Sequence, residues 1–120
     1  MTAALPCLLC RIASGEVASE RLYEDDLVVV FDIPESYPWR QAPVHFLAIS
    51  REHIPSAGHV QDEHGPIVAR LFVAIASVAR QLGVADTGYR IATNVGEDAG
   101  QTEFHLHLHA LGGRKLGAKG

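Results

Sequence analysis

The hydrophobic period of the chain changes several times, and each change predicts an element. Residues from about Pro6 to Gly15 read as a short helix with a glycine stop. Residues 21–24 and 27–33 are β-rich runs around Asp25 and Asp26, the pattern of a hairpin. Residues 44–49 predict a third strand. From Asp62 to Leu82, the apolar residues Ile67, Leu71, Ala74, Ile75, Val78 and Leu82 recur at helical spacing, with Gly83 as the expected stop. Residues 89–94 and 104–111 read as two final strands. About five strands joined by short loops, one long helix and one short helix predict an α+β fold, an antiparallel sheet with a helix packed on it.

The last strand alternates most strictly. Successive side chains of a strand leave on opposite faces. Phe104, Leu106, Leu108 and Ala110 are therefore expected on the core side, and His105, His107 and His109 on the other. Rings spaced by about 6.5–7 Å along one strand do not easily converge on an ion whose nitrogen ligands lie about 2.0–2.1 Å away. Different work for each ring fits this spacing better. Just upstream, a loop carrying Asn94, Gly96, Gly100, Gln101 and Thr102 joins the last two strands. Glycines let backbone N–H groups approach an anion, and amide and hydroxyl donors suit phosphate oxygens. Such a loop ending at a histidine face describes an oxyanion site beside a nucleophile or general acid.

Composition narrows the class. The 120 residues amount to one domain, and 48% hydrophobic with 20% charged is ordinary for a soluble globular chain. A net charge of −4 supplies no basic field for nucleic acid or an anionic membrane. No apolar run approaches the ~20 residues of a membrane span. The N-terminus shows no basic region leading into a long apolar core, so a cytoplasmic protein is expected. Cys7 and Cys10 stand at C-x-x-C spacing, which allows three readings. A redox dithiol normally follows a strand in a βαβ unit, and none is visible. A disulfide has no secretory context. Half of a zinc site would need two more ligands, and histidine nitrogen would close the tetrahedron.

The run Gln101-Thr102-Glu103-Phe104-His105-Leu106-His107-Leu108-His109-Ala110-Leu111-Gly112-Gly113-Arg114 resembles the signature of the histidine triad (HIT) family, its Hint-like branch in particular. The resemblance extends to Leu22-Tyr23-Glu24-Asp25-Asp26, to Phe31-Asp32-Ile33, to Ala42-Pro43-Val44-His45-Phe46-Leu47, and to Cys7 and Cys10 with the helix after them. It covers nearly the whole chain and implies one HIT-like nucleotide-binding domain over residues 1–120. The activity implied is hydrolysis or transfer at the α-phosphorus of purine nucleotides, phosphoramidase-like, through a covalent nucleotidyl-histidine.

The resemblance also implies roles. His107 matches the nucleophile, and a backbone carbonyl is the usual partner that fixes its tautomer. His109 contacts the phosphate or the leaving-group side. Asn94, Gln101 and Thr102 match phosphate-contacting positions, with Thr102 standing where Ser is common. Asp32 matches the carboxylate that accepts the two ribose hydroxyls. Ile12, Leu27, Phe31 and Ile33 are candidates for the purine pocket. His45 matches a position that supports the active site from behind. His59 and His64, where the chain enters the long helix, are expected at the solvated surface. A structural zinc would be held by Cys7, Cys10, His53 and His105, with no catalytic metal, and a homodimer is implied.

Two departures accompany the match. Residues 34–40 lengthen the connection after Asp32, with Trp39 as a candidate to stack on a base or leaving group and Arg40 to meet an anion. The tail after Arg114 lacks the aromatic some Hint-like proteins carry, which leaves leaving-group choice open. Competing readings are a dinucleoside polyphosphate hydrolase or phosphorylase, a non-catalytic nucleotide-binding module, and a zinc hydrolase with the triad as ligands.

Overall fold

The two faces of one sheet divide the core in the computed structural model, which describes residues 7–38 and 40–118. Among these residues the order is α1 (Leu8–Ser14), β1 (Glu20–Glu24), β2 (Val28–Asp32), β3 (Val44–Ser50), α2 (Gly65–Gln81), β4 (Tyr89–Ala92) and β5 (His107–Gly112). The sheet runs β1-β2-β3-β5-β4 with every pairing antiparallel, as the short connections predict. On one face Val28, Val30, Phe46, Ala48, Leu108 and Ala110 pack under α2. On the other, Val29, Phe31, Ile33, Leu47 and Ile49 pack against Leu9, Ile12 and Ala13 of α1. β2 is thus buried on both sides, which is why its sequence is apolar without alternation. No helix among the described residues is long and apolar enough to cross a membrane.

Local chemistry sets the helix ends. Cys7 caps α1, its Sγ accepting from the backbone N–H of Cys10 at 3.3 Å, and Gly15 ends it in the left-handed region at φ 88. Pro6, where the predicted helix begins, lies outside the described residues. The long helix begins with a 3-10 turn at Asp62–His64 before the regular turns of α2, with Pro66 in the first turn. Leu82 continues the helical spacing of the apolar residues. It is 40% exposed, because it follows the last turn of α2 and no longer shares the buried face of Ile67, Leu71, Ala74, Ile75 and Val78.

Two expectations are corrected. Phe104 is exposed, not core. The chain joins β5 only at His107, and the N–H of Leu106 donates to Ile54 O at 2.6 Å, so Phe104 precedes the ladder that would turn it inward. His64 is buried, not solvated. Its Nδ1 accepts from Gln61 N at 2.9 Å, which places the proton on Nε2, 3.1 Å from Glu52 Oε2. His59 is exposed, as expected.

Asp25 fastens the β1–β2 hairpin to α2. Its Oδ1 accepts from the N–H groups of Leu27 and Val28 at 2.8 and 2.9 Å, and its Oδ2 from Tyr23 and Arg70, both at 2.6 Å. Burial raises the carboxyl pKa, but these four donors outweigh it and hold the group well below the usual carboxylate range. The stabilisation is full above the unfolded value of 3.8 and is lost as pH falls through the folded one. Asp25→Ala should cost about 2–4 kcal/mol in urea denaturation, since it strands several donors at once. The same change at exposed Asp26 should stay within about 0.5 kcal/mol, and equal effects would contradict the network.

Candidate active site and metal centre

β5 carries two of its histidines onto the α1 face of the sheet. His107 pairs with Ile49 and His109 with Leu47, both α1-side residues. The rings of His107 and His109 stand 5.2 Å apart and line a cleft of about 600 Å³ between α1, β2 and the 94–102 loop.

The protonation of each ring follows from its backbone partner. His107 Nδ1 lies 2.6 Å from the carbonyl of His105, and a carbonyl can only accept, so Nδ1 carries the proton and Nε2 the lone pair. The N–H of Gln41 donates to His45 Nδ1 at 3.1 Å, so the His45 proton is on Nε2. That proton points to His109 Nδ1 at 3.0 Å, which leaves the His109 proton on its Nε2. One ring of the cleft therefore presents a bare nitrogen and its neighbour an N–H. Burial first, then the neighbouring His107 and His45, push His109 down to about 4, so it is neutral near pH 7. Burial also lowers His45, with Arg40 adding to the effect and Asp32 opposing it. His45 is buried and lies behind His109, in hydrogen-bond contact with it.

The loop after β4 closes one side of the cleft. Gly96 and Gly100 adopt φ 85 and 89, the left-handed region that glycine fills at no steric cost. Asn94 and Thr102 line the cleft. Gln101 lies there too, but its side chain is already occupied. Its Oε1 accepts from Gly96 N at 2.9 Å, and its Nε2 donates to Pro55 O and Glu103 O at 2.9 and 3.0 Å. Both amide protons are used, so the expected phosphate contact from this side chain is corrected to that of a clamp shaping the loop.

Asp32 belongs to the same cleft. It reaches the cleft wall at the end of β2. In register it faces Phe46, an α2-side core residue, and it alternates with Val28 and Val30. Its carboxylate is part-exposed at the strand end, where Oδ1 meets Arg40 at 3.3 Å. Of the four candidates for a purine pocket, Ile12 and Phe31 line the cleft. Leu27 packs instead against the α2-side core, and Ile33 is sealed in the other cluster. Trp39 lies outside the described residues. Tyr37, two residues earlier, lines the cleft, and its aromatic character in the long connection was the available signal.

His105 faces a different centre. Cys7 and Cys10 Sγ each lie 3.4 Å from its Nδ1, His53 Nδ1 lies 3.2 Å from it, and Cys10 Sγ is 3.2 Å from His53 Nδ1. All four ligand atoms fall within 4.8 Å of one another, the one such group of His, Cys, Asp or Glu among the described residues. Two nitrogens and two sulfurs around one zinc would be separated by roughly 3.3–3.8 Å, the edges of a tetrahedron built on the usual bond lengths. The donor set therefore fits a metal such as zinc. The Nε2–H of His105 donates to Ser50 O at 2.6 Å, which turns the Nδ1 lone pair toward the sulfurs. Burial, then the hydrogen bond and charge of Cys7, push the Cys10 thiol up to about 11. A cation among these atoms would remove that cost. The triad is thus split between two places, which contradicts a hydrolase with all three rings on one zinc.

Comparisons with known proteins show what the whole chain is similar to. A family model described as scavenger mRNA decapping enzyme C-term binding matches residues 6–118. The purine nucleoside phosphoramidase of Escherichia coli strain K12 is 39% identical over 111 residues, 92% of this chain and 89% of that protein. Protein HitA of Neisseria gonorrhoeae is 35% identical over 107 residues, 88% of this chain and 94% of that protein. A HIT family hydrolase from Clostridium thermocellum superposes with a TM-score of 0.86 at 40% identity, covering 94% of this chain and 95% of that one. A histidine triad protein from Clostridium difficile gives 0.87 at 37% identity over 97% of each chain.

The low pKa of His109 has a consequence for stability. Between its ordinary value of 6.5 and about 4, the unfolded chain takes up a proton that the folded ring refuses. Stability should therefore fall as pH drops through that window. Urea titrations of His109→Gln should give a shallower fall than wild type across it, and parallel curves would refute the shifted ring.

Proposed function

The chain belongs to the histidine triad family, and on that premise we propose that it is a purine nucleotide hydrolase of phosphoramidase type, one nucleotide-binding domain over residues 1–120. The observation that carries this reading is the bare Nε2 of His107, held by the His105 carbonyl beside a donor-bearing His109 in the cleft. In the first step the Nε2 lone pair attacks the α-phosphorus and the bond to the amine leaving group breaks, giving a nucleotidyl-histidine. His109 Nε2–H and the donors of Asn94 and Thr102 stabilise charge on the phosphoryl oxygens as the amine departs with a proton from solvent or His109. Water then attacks phosphorus, the phosphorus–nitrogen bond breaks, and the lone pair returns to Nε2 with release of the nucleoside monophosphate. The apolar end of the cleft, at Leu9, Ile12, Val17 and Phe31, takes the base.

In this reading Cys7, Cys10, His53 and His105 would hold a structural zinc, which would cross-link the start of α1 to the segments after β3 and before β5. The chain acts as a homodimer in the same reading. The unpaired edge of β4 and the exposed Phe72 and Val73 of α2 support a second copy there.

Two experiments check this. Mixing the protein with adenosine phosphoramidate, quenching in base and measuring intact mass should show a nucleotidyl adduct, and His107→Ala should abolish both adduct and turnover. Absence of adduct and turnover across nucleotide amides, esters and dinucleotides would leave a binding module. Zinc should be measurable in the purified protein by elemental analysis at one equivalent per chain. Cys7→Ser should lose the zinc and several degrees of Tm with a far smaller effect on the chemical step. An unchanged Tm would remove the zinc from the reading.

A further inference from the structure

The connection between β2 and β3 is built as a wall and not as a free loop. Arg40 lies at its centre with a side chain only 11% exposed. Its guanidinium donates to Asp32 Oδ1 at 3.3 Å, to the Ile33 carbonyl, and to the Pro43 carbonyl at 2.5 Å. Two consecutive turns complete the segment, Tyr37 N to Pro34 O at 3.0 Å and Arg40 N to Tyr37 O at 3.1 Å. The two ends of the connection, Ile33 and Pro43, are thus tied through one side chain. An Arg fork suits such a task because it directs several donors from one rigid plane.

The face that this staple fixes belongs to the cleft. Pro34 and Tyr37 line it together with Phe31 and Ile12, on the apolar side. His107, His109, Asn94 and Thr102 are among the polar groups of the same lining, as is Asp32. A nucleotide with its phosphate at the histidines extends its base toward the apolar side. We infer that Tyr37 is a specificity residue that packs on the nucleobase, and that Arg40, fastened by Asp32, is the positioning residue that holds it there. This inference rests on the reading of the cleft as a nucleotide site.

Equilibrium titration separates the two ideas, because it needs no turnover. The probes are AMP and ribose 5-phosphate, which share sugar and phosphate and differ in the base. In Tyr37→Ala the ratio of AMP affinity to ribose 5-phosphate affinity should fall about 3- to 10-fold, the scale of one stacked ring. Tyr37→Phe should keep the wild-type ratio, since the ring remains. Arg40→Met should lower the ratio in the same direction, and the double variant Tyr37→Ala/Arg40→Met should do little more than the worse single change. Arg40→Lys serves as the second variant if Arg40→Met folds poorly, and should lower the ratio less. A wild-type ratio in Tyr37→Ala overturns the inference, as does a loss in Arg40→Met that falls equally on both probes. Failure of wild-type protein to bind AMP at all would instead overturn the nucleotide reading beneath it.

Discussion

Hydrogen bonds from imidazole rings to the main chain govern what this protein can do. Each neutral ring has one proton and two nitrogens, and the partner of one nitrogen decides the state of the other. The Ser50 carbonyl takes the proton of His105 and turns its lone pair toward two sulfurs. The His105 carbonyl takes the proton of His107 and bares Nε2 to the cleft. The Gln41 N–H does the reverse to His45, and through it gives His109 an outward proton. Three backbone groups thereby assign three different chemistries to neighbouring rings. Burial reinforces the assignment by keeping His105 and His109 neutral near pH 7.

The two centres are coupled through the same few residues. His105 contributes its side chain to the donor cluster and its carbonyl to His107. Thr93 braces the next peptide, its hydroxyl donating to His107 O at 2.7 Å. The start of α1 supplies Cys7 and Cys10 to one centre, and Leu9 and Ile12 to the wall of the other. A metal at the cluster would therefore hold the cleft's shape without touching a substrate. The packing of α1 on Val29, Phe31 and Leu47 performs the same task by apolar burial.

Much of this was legible in the residues. The hairpin, the long amphipathic helix and the antiparallel order followed from period and short connections. Of the alternation in residues 104–110, Leu106, Leu108 and Ala110 held as core and Phe104 did not, because strand pairing begins only at His107. His64 looked like surface because its partners, Glu52 and the N–H of Gln61, come from outside its own helical face. Gln101 looked like a ligand because its amide suits phosphate, yet the loop's own backbone uses that amide first. Asp32 carried the family's residue type and lines the cleft, but its partner Arg40 comes from the long connection, which the family pattern does not describe.

By itself the sequence determined the element order, the helical and strand periods, and the residue types able to attack phosphorus or hold a metal. These are local properties, written in spacing and side-chain chemistry. Only the tertiary structure decided which nitrogen of each ring is bare, that His107 and His109 share the α1 face, and that Cys7, Cys10, His53 and His105 meet within 4.8 Å. The reason is that tautomer, face and convergence depend on backbone groups and strand registers far apart in the chain. His105 is 55 residues from the carbonyl that orients it, and no residue pattern records that distance closing.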